Sequence, residues 1–238
     1  MRSRFLPEGR LLHTPENEAA CASCDGLRRA MEEGTVLEGV AQLCDGAHNL
    51  LVSVGPFTGF LPREEAALGI AEGTTREIAI LSRVGKPVCF QITALEESGG
   101  VLRPRLSRRR AQQAALDAML AGLHPGCILP AVVTHLESFG AFVDMGCGVI
   151  SLLPIESLSV SRIAHPGDRV RVGQHLLAVV TAVEPEKNRF HLSHRELLGT
   201  WAENAAHFSV GETVVGIVRS VEEYGTFIEI APNLAGLA

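Results

Sequence analysis

The side chains best suited to do chemistry in this chain are rings that flank a glycine. Phe139 and Phe142 stand in Phe139-Gly140-Ala141-Phe142-Val143-Asp144, and Tyr224 and Phe227 stand in Tyr224-Gly225-Thr226-Phe227-Ile228-Glu229, 85 positions later. Such rings make and break no bonds; they offer flat π-faces on which another planar group can stack. Each has a competing reading, because most apolar strand residues are buried and serve as core. For Phe142 and Phe227 the two readings stand level. Phe139 and Tyr224 read as exposed, the tyrosine having a polar tip suited to a half-wet surface. In a regular strand, residues 139 and 142 face opposite sides. They share a face only if Gly140 allows a bulge or if Phe139 lies in the preceding loop.

Other chemistries find little support. The chain carries no Gly-rich phosphate loop, no metal-ligand set and no nucleophile motif, so no enzyme activity and no cofactor are expected. Cysteines stand at 21, 24, 44, 89, 127 and 147, mostly within apolar strand patterns, where a free thiol behaves as a small hydrophobe. Cys21 and Cys24 form a CxxC pair without the second pair that a tetrahedral zinc site needs. They read as reduced thiols on or near a helix.

The net charge of −6 argues against tight non-specific binding to a polyanion. Arg103, Arg105, Arg108, Arg109 and Arg110 nonetheless form a local basic cluster with no acid between them. It reads either as an interaction face or as a solvated helix start, where basic residues oppose the helix dipole. No apolar run reaches the roughly 18 residues that cross a membrane, and the amino terminus has no signal-peptide core. A cytoplasmic chain without membrane contact is expected.

The elements that must position the rings come from a repeat. Gly126 and Gly211 each stand 13 residues before the first ring of a pair. Gly34 to Val40 lines up with Gly126 to Val132 and with Gly211 to Ile217. Leu61-Pro62-Arg63-Glu64 matches Leu153-Pro154-Ile155-Glu156; Val84-Gly85-Lys86 matches Val172-Gly173-Gln174; Leu106-Ser107 matches Leu192-Ser193. The offset drifts from 92 to 86, as expected of shared strands joined by loops of unequal length. The count is two complete modules of roughly 75 residues and the first part of a third.

In the second module the pattern predicts strands over 128–135, 140–145, 149–153, 175–183 and 189–193, with an irregular connection over 154–172 and a hairpin turn over 184–188. Five short strands with glycines at the bends suit a small closed antiparallel barrel of the oligonucleotide/oligosaccharide-binding type. Helices are predicted over 16–33, ended by Gly34, and over 107–120 and 193–208, the last two as semi-rigid spacers.

The fold expected is all-β: tandem five-stranded OB-fold barrels joined by helical linkers, with a truncated third barrel. The segments are an extension with a helix (1–30), a degenerate first barrel (31–107), a linker (108–122), a second barrel (123–193), a linker (194–207) and a partial barrel (208–238). The third module stops at Gly236-Leu237-Ala238, short of a fourth and fifth strand. Unpaired edges predict that it packs on a neighbouring chain, swaps strands or is poorly ordered.

The second module, with its Pro-Gly start, the 139–144 run, Leu152-Leu153-Pro154, His165-Pro166-Gly167-Asp168, Val172-Gly173-Gln174 and Leu192-Ser193, resembles the S-one RNA-binding domain. His194-Arg195-Glu196-Leu197 followed by Trp201, Glu203 and Asn204 is similar to the linkers of bacterial small-subunit ribosomal protein one. The resemblance spans 31–238; it is strong over 123–208, clear over 208–238 and faint over 31–110.

It implies that RNA crosses one barrel face, with Phe139, Phe142, Tyr224 and Phe227 stacking on bases. Arg189, with Lys187 and His191 beside it, would meet phosphate. Stacking contributes about 1–3 kcal/mol per base and tolerates any sequence. Against a phosphate role, Arg189 could pair with Glu184 or Glu186 across its hairpin. The histidine that the family often carries after its third strand is Pro154 here, and Pro62 in the first module.

At its own ring site the first module has Ala47, His48, Asn49 and Leu50. Stacking is lost there unless Phe57 or Phe60 replaces it, and the resemblance implies a protein-contact module. The function implied is binding of single-stranded mRNA in translation, with the small ribosomal subunit as a partner and self-association through the third module. Two alternatives stand: an accessory segment of a larger nuclease or metabolic enzyme whose catalytic domain is absent, and a protein-interaction scaffold.

Overall fold

The computed structural model describes residues 5–238; residues 1–4, the start of the expected extension, lie outside the described residues. The chain divides into two compact units. One runs through Ala121 and takes in Met145–Val149; the other comprises Gly122–Asp144 and Ile150–Ala238.

In the first unit, Thr14 caps α1 (Pro15–Cys21) by accepting the Asn17 N–H. The single helix expected over 16–33 is two helices. Ser23 adopts extended backbone (φ −145°, ψ 158°), and its hydroxyl accepts the Gly26 N–H at 3.1 Å to start α2 (Cys24–Glu33). A capping serine leaves helical geometry by its nature, so it ends one helix as it begins the next.

The strands follow as β1 (Leu37–Cys44), β2 (Leu50–Val54) and β3 (Phe57–Leu61), then the short helix α3 (Ile78–Leu81), then β4 (Pro87–Ser98) and β5 (Val101–Ser107). They close into a barrel of order β1-β2-β3-β5-β4, with β3 and β5 parallel. Leu50, Val52, Val54, Phe90 and Leu106 fill it, fully buried. Each such side chain contributes roughly 1.5–3 kcal/mol over leaving it exposed.

Two buried carboxylates fasten the amino-terminal stretch that its composition reads as irregular. Glu38 accepts the N–H groups of Leu11 at 2.8 Å and Leu12 at 2.6 Å, and that of Gly9. Glu8 accepts from Arg108 Nε at 2.6 Å and Nη2 at 2.9 Å, and from the Cys89 N–H at 3.1 Å. Helix α4 (Arg108–Gly122) follows, its first turn capped by the Ser107 hydroxyl, which accepts the Arg110 N–H at 2.9 Å.

The second unit opens with β6 (Ile128–Glu137), β7 (Gly140–Asp144), β8 (Ile150–Pro154), β9 (His175–Glu184) and β10 (Arg189–Ser193), in sheet order β10-β9-β6-β7-β8. The sheet is nearly closed: the Ser151 hydroxyl on β8 donates to the Phe190 carbonyl on β10 at 2.7 Å. The helix expected over 193–208 is a 3-10 turn (Arg195–Leu197) and one short helix, α5 (Trp201–Ala205). Gly199 between them has φ +76°, which no helix accommodates, and Thr200 starts a fresh cap with Glu203.

Strands β11 (Ile217–Glu222), β12 (Gly225–Ala231) and β13 (Leu234–Leu237) form the smaller third sheet. It is seated on the second barrel's irregular connection. Glu229 of β12 lies buried between the guanidinium groups of Arg169 and Arg219, and Arg219 also reaches Asp168 at 3.4 Å. Arg169 donates further to the Ser159 and Ser161 hydroxyls, both at 3.1 Å, and the Ser159 hydroxyl donates to Asn233 at 3.0 Å. Trp201 Nε1 donates to the Ala235 carbonyl at 3.1 Å. The architecture is thus mostly β, with tandem OB-type barrels and a three-stranded remainder.

Candidate nucleic-acid interface

The ring pair at 139 and 142 shares a face because Phe139 is not in the strand. It occupies the two-residue turn between β6 and β7, 53% exposed, while Phe142 is half-buried on β7 with its neighbours Ala141 and Val143 turned inward. Their centroids lie 6.1 Å apart with the planes at 86°. Gly140 stands between them for want of room: a Cβ there would come within 2.6 Å of the Leu153 carbonyl oxygen on β8.

The second copy repeats the arrangement. Tyr224 lies in the β11–β12 turn, 70% exposed, and Phe227 on β12, with centroids 6.2 Å apart and planes at 87°.

A third ring, which the sequence reading missed, completes the first of these sites. His135 of β6 lies with its centroid 6.3 Å from that of Phe142 and its plane 28° away. Strand alternation alone would point it inward, since Leu129, Ala131 and Val133 all face the core. A bulge prevents this. Val133 pairs with Val143 and His135 with Phe142, which leaves Thr134 as an extra residue. One extra residue reverses the alternation beyond it. The Thr134 hydroxyl donates to the Phe142 carbonyl at 3.1 Å and ties the bulge down. His135 Nε2 lies 2.7 Å from a Glu137 carboxylate oxygen, which fixes the ring.

The basic residues form a separate group on the β9–β10 hairpin. Glu184 holds Lys187 Nζ at 2.6 Å and also the His191 ring, so it is not available to Arg189. The Lys187 ammonium, and after it the His191 ring, hold the Glu184 carboxyl down at about 2. Arg189 is exposed and has no ion pair among the described residues. No ring contact, hydrogen bond or ion pair among the described residues joins this group to Phe139 and Phe142.

The arginine cluster does not form one surface. Arg108 is 5% exposed, clamped by Glu8 and donating to the Ala66 carbonyl, while Arg109 pairs with Glu72 and Arg105 with Glu96. Arg103 and Arg110 remain exposed. In the first barrel the residues 47–50 carry no ring at the first or the fourth position, as their sequence states. His48 pairs with Glu77, Phe57 packs on the core, and Phe60 lies across from Leu51 and Arg105 as a single half-buried ring.

Burial drives the Cys21 thiol up to about 11, so it is protonated at neutral pH, and all six cysteines are free. Among the described residues no group of three His, Cys, Asp or Glu is placed to hold a metal ion.

A five-stranded barrel with a paired-ring face defines the class, and residues 123–195 match the family model of the S1 RNA binding domain. Over most of its length the chain is similar to "Small ribosomal subunit protein bS1". It is 28% identical over 229 residues to that of Neisseria meningitidis serogroup B (strain ATCC BAA-335 / MC58), covering 93% of this chain and 39% of that protein. It is 31% identical over 194 residues to that of Leuconostoc lactis, covering 79% of this chain and 43% of that one. The chain therefore spans about two fifths of the length of these relatives. Among solved structures, the "a/eIF2alpha-aDim2p-rRNA complex from Pyrococcus horikoshii OT3" aligns at 24% identity with a TM-score of 0.31, covering 36% of this chain and 51% of that chain. A likeness so partial bears no weight on function.

Proposed function

We propose that this chain is a non-enzymatic, cytoplasmic protein that holds single-stranded mRNA near the small ribosomal subunit. The second barrel and the third sheet grip the RNA. The observation that carries this reading is the repeated ring pair. Two modules whose rings differ in type present the same right-angled arrangement at 6.1 and 6.2 Å, each with its first ring more than half exposed. Core packing would not expose a phenylalanine and a tyrosine at equivalent turns. Stacking on unpaired bases gives that exposure a use, and the similarity to ribosomal bS1 proteins supports the partner.

The six segments set out from the sequence are the domain plan of this reading: the first barrel, with its aliphatic face of Leu43 and Leu51, contacts protein, and the later modules contact RNA. Phe139, Phe142, Tyr224 and Phe227 stack, and Arg189 meets phosphate with Lys187 and His191 beside it. Among the described residues no helix is long and apolar enough to cross a membrane.

Fluorescence anisotropy with a short unstructured RNA, titrated with salt, tests the reading. Phe139→Ala is expected to weaken binding about five- to tenfold at constant salt slope. Arg189→Ala is expected to flatten the slope by about 0.7, the share of one phosphate on a single strand. Both variants binding like the parent would refute the site.

A further inference from the structure

We propose that His135 is a third base-stacking residue of the second barrel, so that RNA lying on Phe139 and Phe142 continues onto β6. This rests on the RNA-binding reading above and extends its site to a residue outside the ring motif.

Three observations carry it. The first is placement. The Thr134 bulge turns His135 out of the core and sets it opposite Phe142, with the two planes only 28° apart. Phe142 then stands between two rings: Phe139 meets it edge-on as a side wall, while His135 lies nearly parallel to it with the centroids 6.3 Å apart. A base on Phe142 would be bounded on one side, and its neighbour would find a second flat surface on the other.

The second is which part of the imidazole remains free. Nε2 is taken up by Glu137 at 2.7 Å, yet the side chain is 62% exposed, so much of the ring stays open to solvent. A carboxylate at the ring's edge also repels phosphate, which favours a base over the backbone as the group that lands there.

The third is contrast within the molecule. All three modules bulge at this point of their first strand, leaving Gln42, Thr134 and Arg219 as the extra residues. The next residue is Leu43, His135 and Ser220 in turn, the first two exposed and the serine half-buried. Only the second barrel places a ring in that position, so the bulge belongs to the fold and the ring to this barrel.

The test is anisotropy with a short single-stranded RNA on the whole chain, comparing His135→Ala, His135→Phe and Phe142→Ala. His135→Ala is expected to weaken binding about five- to tenfold, the lower part of the range for one lost base stack, with the salt slope unchanged. His135→Phe is expected to stay within about twofold of the parent, because a ring is what the site needs. Unchanged melting curves would confirm that this exposed position affects binding and not folding.

The inference is overturned, with the RNA reading intact, if Phe142→Ala weakens binding and His135→Ala does not. It is also overturned if His135→Phe is as weak as the alanine variant and both flatten the salt slope by about 0.7, the mark of a phosphate contact. No binding by the parent chain at low salt would overturn the inference and the RNA reading together.

Discussion

At the scale of single residues, charge in this chain is spent on itself more than on a partner. Glu184 gathers the Lys187 ammonium and the His191 ring on the β9–β10 hairpin. Its carboxyl is depressed to about 2, against an ordinary value near 4.3. A depressed carboxyl contributes its pairing above the ordinary value and loses it only as pH falls through the folded one. The pair therefore persists between pH 7 and pH 4, and acidification over that range does not release Lys187. Glu184→Gln does: it is expected to tighten RNA binding and to steepen the salt slope by about 0.7 for the freed lysine, read by anisotropy. The same economy explains why the sequence left two readings open for five arginines within eight residues. Arg108 is drawn inward by Glu8, which lies a hundred positions away in the chain, and no local count of charges can register that.

At the scale of elements, the strands were legible and their ends nearly so, because alternation of apolar and polar residues is a local signal. The β6 to β10 boundaries fall within two residues of the pattern. What the pattern missed was local disobedience. Ser23 and Gly199 each broke a helix that composition favoured, and one extra residue in β6 reversed the facing of His135. The seating of the third sheet was illegible too, since it depends on side chains from three separate stretches. Glu229 is buried between Arg169 and Arg219, and removing its charge leaves two guanidinium groups without their shared partner. Glu229→Gln is expected to destabilise this seating by about 3 kcal/mol. Hydrogen exchange should show it as faster exchange of amides over 217–237, with the β6–β8 amides unchanged; equal protection in both regions would contradict the role given to the cluster.

At the scale of the whole molecule, the modules divide their work under the proposed reading. The tandem repeat was legible from self-comparison and the barrel from the strand pattern of the second module, and the erosion of the first module was legible too, because a missing ring is visible in any sequence. With a net charge of −6 and Arg189 as the one unpaired cation on its hairpin, the chain should bind RNA with a shallow salt dependence. A slope near −1 is expected where one or two phosphates are neutralised, in contrast to the steep slopes of basic proteins. Ultraviolet cross-linking to a uridine-rich RNA should mark peptides around 135–142 and 224–227 and spare 43–60. Cross-links concentrated in the first barrel would reverse the division of labour.

The bulge in the first strand of each module acts as a frameshift in three dimensions. It costs the sheet one ladder position and, in both barrels, returns an exposed side chain outside the core. The residue after it can be exchanged, leucine for histidine for serine, without repacking anything beneath. A chain built from copies of one barrel thereby holds a separate dial for each copy, and the modules can diverge in what they touch while their interiors stay alike.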